Sequence, residues 1–157
     1  MRDLPVGKLA AVAILALIVG AVALVVRDGQ ALPDEVSPIA WHQQPCAHCQ
    51  MLISEPAHAA QLVTADGEVR AFDDPGCALS HVRQRAVQVH RLWFHHATAD
   101  RWLRAEDTSF LVGGATPMAS GLLAVERGTP GALDLEEATA RALAAAAQAP
   151  GIKEESP

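Results

Sequence analysis

The chain has 157 residues, half of them hydrophobic, with a formal net charge of -6 at pH 7 and a pI near 5.6. No Lys/Arg cluster follows the first ten residues, Tyr is absent, and there are only three Phe and three Trp, so neither a basic face nor a stacking platform exists for nucleic acid. Three cysteines is an odd count: one C-x-x-C disulfide leaves Cys77 over, whereas a sulfur-ligated metal can use two or all three.

In chain order, residues 9–26 are eighteen positions without a charge or strongly polar group, LAAVAILALIVGAVALVV, between Lys8 and Arg27. As a helix rising about 1.5 Å per residue, such a run just spans a hydrocarbon core of about 30 Å. Arg2 and Lys8 precede it, so the positive-inside rule leaves residues 1–8 in the cytoplasm and puts everything after Arg27 outside. A cleaved signal peptide is the competing reading, but the apolar run is long for one, and Leu24-Val25-Val26 offers no small-x-small cleavage site. Residues 27–44, with Pro33 and Pro38 and little periodicity, read as a tether.

Residues 45–149 read as one domain and 150–157 as a polar tail. Apolar runs at 51–53, 59–64 and 68–72 predict strands, with Asp66-Gly67 as a hairpin turn between the last two. Asp73-Asp74-Pro75 supplies a carboxylate cap and a proline at the first helical position, predicting a helix to about Arg85 on whose apolar face Cys77 sits as a small hydrophobe. Further strands are expected at 89–98, 102–105, 108–112 and 118–126, and a closing helix from Asp134 or Leu135 to Gln148. Strands followed by a helix, twice over, define an α+β domain of two ββα-type units packed together.

The chemistry concentrates in Cys46-Ala47-His48-Cys49-Gln50-Met51, two thiols, an imidazole and a thioether in six residues. Soft sulfur at that density selects Cu(I), Zn(II) or an iron–sulfur centre, and the thioether favours Cu(I). A C-x-x-C can equally close a disulfide, so a periplasmic thiol–disulfide oxidoreductase using Cys46 and Cys49 stands as the alternative. The strand expected after the motif departs from the helix that lowers thiol pKa in thioredoxin-like enzymes. Structural zinc normally takes four Cys/His ligands, and no second C-x-x-C or spaced His pair is present. Met118, in Thr116-Pro117-Met118, is either a second soft ligand or a buried strand residue. No G-x-S-x-G, P-loop or H-E-x-x-H occurs, so no enzyme chemistry and no small-molecule substrate are expected.

Several separated features together resemble the NosL family of nitrous oxide reductase accessory proteins. They are C-x-x-C-x-M after a membrane-targeting N-terminus, Asp66-Gly67 before Phe72-Asp73-Asp74-Pro75-Gly76-Cys77, Trp102 to Glu106, and Thr116 to Gly121. The resemblance implies a membrane-anchored copper chaperone of the inner membrane, its soluble domain in the periplasm. It implies delivery of Cu(I) to copper-accepting assembly proteins, including an ABC-type complex, for nitrous oxide reductase or a related cuproenzyme. Cys49 and Met51 inherit the ligand role, with Cys46 as an additional thiol and Met118 at the T-P-M position. Two departures accompany it: Gln50 replaces a glycine between the two ligands, and a transmembrane helix stands in for the lipoprotein cysteine.

Overall fold

A computed structural model of the protein describes residues 14–22 and 32–148. Residues 14–22 are helical, and no helix among the described residues is long and apolar enough to cross a membrane. Both ends of the expected anchor at 9–26, residues 1–8, expected in the cytoplasm, and the tail 150–157 lie outside the described residues. The rest of the chain, from Pro33 on, is a separate compact unit.

That unit is α+β with two antiparallel sheets. Strands β1 (Ala60–Thr64), β2 (Val69–Phe72), β3 (Val89–His95) and β4 (Trp102–Arg104) form one sheet in the order β2-β1-β3-β4. Strands β5 (Thr108–Val112) and β6 (Leu122–Glu126) form a hairpin of their own, paired from Thr108 with Glu126 to Val112 with Leu122. Helix α1 (Pro75–Gln84) follows β2, and α2 (Leu135–Gln148) follows β6 and packs on α1. Each helix thus follows a two-stranded hairpin, as the sequence pattern suggests, but β3 and β4 extend the first sheet.

Local chemistry explains these elements. Gly67 adopts φ 90° in the β1–β2 turn, the conformation for which Asp-Gly is selected. Asp74 caps α1, its Oδ1 accepting from Gly76 N at 2.6 Å, with Pro75 in the first turn where its missing N–H costs nothing. Asp134 and Glu137 form a capping box at α2: Asp134 Oδ1 accepts from Glu137 N at 2.8 Å and Glu137 Oε2 from Asp134 N at 3.0 Å. Strand β1 is buried at all five residues because β2 and β3 cover its two edges and both faces are packed. Phe94 of β3 meets Phe110 of β5 edge to face at 4.9 Å, joining the two sheets in one core.

Three expectations are corrected by where backbone hydrogen bonds go. Residues 51–53 are not a strand: Cys46 N donates to Met51 O and Ile53 N to Gln44 O, which makes a looped ribbon with a single bridge between Pro45 and Leu52. Strand β6 starts at Leu122 rather than 118, because Ala119 and Gly121 turn through positive φ (56° and 65°) and Met118 N donates to a side chain. The tether expected over 27–44 is docked in its later part. Gln61, buried in β1, holds Ser37 by both of its backbone groups, at 2.6 and 2.9 Å, and Ile39 enters the core.

Candidate metal centre

The C-x-x-C loop is shaped by backbone hydrogen bonds before any ligand is considered. His42 N donates to Ile53 O at 2.8 Å and Cys46 N to Met51 O at 2.7 Å, drawing the two arms of the loop together. At the tip, Cys46 O accepts from both the backbone N and the side-chain Nε2 of Gln50, each at 3.1 Å. Gln50 stands at φ 66°, so the position does require the left-handed conformation that glycine adopts freely, and the amide side chain helps hold it there. Ala47 N donates to Ala71 O at 2.9 Å, which seats the loop on the free edge of β2 and covers it.

This folding turns amide N–H groups onto sulfur. The N–H groups of Cys49, Asp73 and His48 are directed at the Cys46 sulfur, and that of Met51 at the Cys49 sulfur. Such donors favour thiolate over thiol. Cys77 stands in the first turn of α1, three residues after the Asp74 cap, and brings a third thiol to the same place. The Sγ atoms of Cys46, Cys49 and Cys77 all lie within 4.8 Å of one another. Cys46 and Cys77 are buried and Cys49 is half-buried.

The three thiols have different proton affinities. Cys46 is lowered to about 5, chiefly because the Cys77 S–H donates to it and secondarily through the amide N–H groups, against the opposing cost of burial. Cys77 is raised because it holds the shared proton and is itself buried. Burial also raises Cys49, partly offset by Met51 N–H. A soft cation bound by all three sulfurs would displace the protons of Cys49 and Cys77.

The second half of the chain closes over this trio. Met118 N donates to Asp74 Oδ2 at 3.1 Å, so one carboxylate ties the start of α1 to the loop between β5 and β6. The approach is close enough that a Cβ on Gly76 would lie 2.6 Å from Ser120 Cβ; only glycine fits. Between them opens a cavity of about 620 Å³ whose wall includes His48, Cys49, Cys77, Ser80, Met118 and the alanine face of α2 at Ala142, Ala145 and Ala146. The motifs around Phe72–Cys77 and Thr116–Gly121, distant in sequence, meet here.

Of the residues expected at the site, Cys46 and Cys49 are together and Met118 is on the wall of the same cavity, 42% exposed. Met51 is 48% exposed and does not line that cavity; its backbone serves the site by bonding Cys46 and Cys49. Cys77, which the sequence presents as a small core residue, is the third member. Its signal was its place: the first turn of a helix that follows a C-x-x-C and a hairpin.

Three sulfurs around one ion at about 2.3 Å would stand roughly 4 Å apart, so the trio could hold a metal ion with shifts of only a few tenths of an ångström. Among the described residues it is the only group of three or more Cys, His, Asp or Glu with that closeness. The same sulfurs could instead close a disulfide after side-chain rotation. His58 and His90 face Glu55 and Asp34 at 3.4 Å. No family model, curated protein or solved structure matches the chain.

Proposed function

We propose that the chain is a Cu(I) carrier of the NosL type, anchored in the inner membrane by its N-terminal helix with the domain in the periplasm. It passes copper to assembly proteins, including an ABC-type complex, that serve nitrous oxide reductase or a related cuproenzyme. In this reading Cys46, Cys49 and Cys77 hold the ion, Met118 waits at the cavity where a partner's thiolate or thioether enters, and no substrate is turned over. The observation that carries it is a trio of thiols of which two, Cys49 and Cys77, line one open cavity together with Met118. Soft, low-coordinate Cu(I) suits that donor set, and a thioether adds nothing for a hard cation. The buried thiols retain the ion, and half-buried Cys49 with exposed Met118 offers it for exchange.

Titration of the reduced protein with Cu(I) against a competing chelator tests this. Cys49→Ser is expected to weaken binding at least 100-fold, and equal affinity in the two proteins would overturn the site. The thiol–disulfide oxidoreductase reading is disfavoured by burial, since an attacking thiol needs access and Cys46 is 0% exposed. It predicts insulin reduction that survives Met118→Leu.

A further inference from the structure

Two thiols on a tight loop and one in the first turn of a helix are three corners of a common arrangement. When such a loop and helix hold tetrahedral zinc, the helix normally supplies two ligands, spaced C-x-x-C. Here α1 supplies Cys77 and, three residues on, Ser80. Residues three apart share a helix face with Cβ atoms about 5–6 Å apart. Ser80 is 3% exposed and lines the cavity beside Cys49 and Cys77.

We infer that Ser80 occupies the fourth corner of the site, and that a hydroxyl there keeps the site from closing into a four-thiolate zinc centre. It is a specificity-determining residue: it leaves one coordination position open toward the cavity and withholds the fourth soft ligand Zn(II) requires.

Of the neighbouring groups Asp74 is fully engaged, and His48 is the competing fourth donor, which the zinc and cobalt measurements separate from an open position. Asp74, the carboxylate on the same wall, has Oδ1 bonded to Gly76 N and Oδ2 to Met118 N. The imidazole of His48 packs edge-on against that of His81, centroids 6.0 Å apart, while its backbone N–H serves Cys46. A neutral hydroxyl is a poor ligand for either Cu(I) or Zn(II) beside three thiolates. A three-coordinate ion next to a 620 Å³ cavity can accept an incoming donor before losing any of its own.

The inference takes its biological sense from the copper-carrier reading, but its test runs on zinc and cobalt. With the reduced full chain, Ser80→Cys is expected to raise Zn(II) affinity at least 100-fold and to strengthen sulfur-to-metal charge-transfer absorption of the Co(II) complex. It should also slow Cu(I) removal by a chelator at least tenfold, while Ser80→Ala leaves all three within threefold of the parent. Zn(II) affinity unchanged in a folded Ser80→Cys protein would overturn the proposal, as it would if His48 already filled the fourth position. Should that variant not fold, the parent decides. Adding a small exogenous thiol to its Co(II) complex should shift the spectrum as the open position fills, and an unresponsive spectrum overturns the open corner. A parent that binds Zn(II) and Co(II) this way but not Cu(I) would sink the carrier reading and leave the role of Ser80 standing.

Discussion

Two clusters of ligand-type side chains stand in this domain, and only one is arranged for a cation. At the end of β3 stand two neighbouring pairs, His95 with Asp100 at 3.2 Å and His96 with Glu126 at 3.0 Å. There His96 Nδ1 accepts from Thr98 N and Ala99 N, at 3.1 and 3.0 Å, and its Nε2 meets Glu126 at 3.0 Å. His95 Nδ1 bonds His96 O at 3.0 Å. Every imidazole nitrogen is engaged, and the cluster's work is to turn the chain from β3 to β4. At the thiol trio the backbone donates to sulfur, leaving three soft acceptors facing one another. The composition of a cluster therefore says less than which atoms its hydrogen bonds consume.

Breaking the shared scaffold should have the largest effect. Asp74→Ala removes the α1 cap and leaves Met118 N without its acceptor, and is expected to cost about 2–4 kcal/mol in urea unfolding. Copper affinity should fall with it, because α1 carries Cys77. Gly76→Ala forces Ser120 away and is expected to cost about 1–3 kcal/mol, with faster Cu(I) loss to a chelator as the Met118 loop moves.

His96→Ala separates the two clusters. It orphans the Thr98 and Ala99 amides and should cost about 1–3 kcal/mol of stability while leaving Cu(I) affinity within twofold. The pH dependence has a definite sign. Burial first, then Arg101, lowers His96 below its ordinary value, so the unfolded chain takes up the proton first. Stability is fully present above the unfolded value near 6.5, and on acidification it begins to be lost there and continues to fall toward the folded pKa. Urea unfolding at pH 7.5 and 5.5 should show this loss, reduced in His96→Ala. The smallest effect is Gln50→Gly, which relieves the left-handed backbone but forfeits the bond to Cys46 O, so stability should change by under about 1 kcal/mol.

How much of this was written in the sequence differs between fold and site. The Asp-Gly turn, the Asp74-Pro75 helix start and the acidic opening of α2 are local signals, and the elements they predict are present. The helix-forming D-D-P-G-C run even placed Cys77 in a first turn. What local pattern could not show is that this turn lies against the C-x-x-C loop, since that depends on Ala47 pairing with β2 and on Gly76 passing within contact of Ser120. The sequence marks Met51 by its thioether; in the fold its side chain is half-exposed and off the cavity wall, and its backbone O accepts from Cys46 N. The apolar run at 51–53 misled for the same reason: its amides serve the loop, so no ladder forms.

The central claim is that the helix thiol, and not the loop thioether, completes the site. Cu(I) affinity of Cys77→Ala and Met51→Leu, measured side by side against the same chelator, tests it most directly. The account predicts at least a 100-fold loss for Cys77→Ala and a change within threefold for Met51→Leu. The reverse order would contradict it.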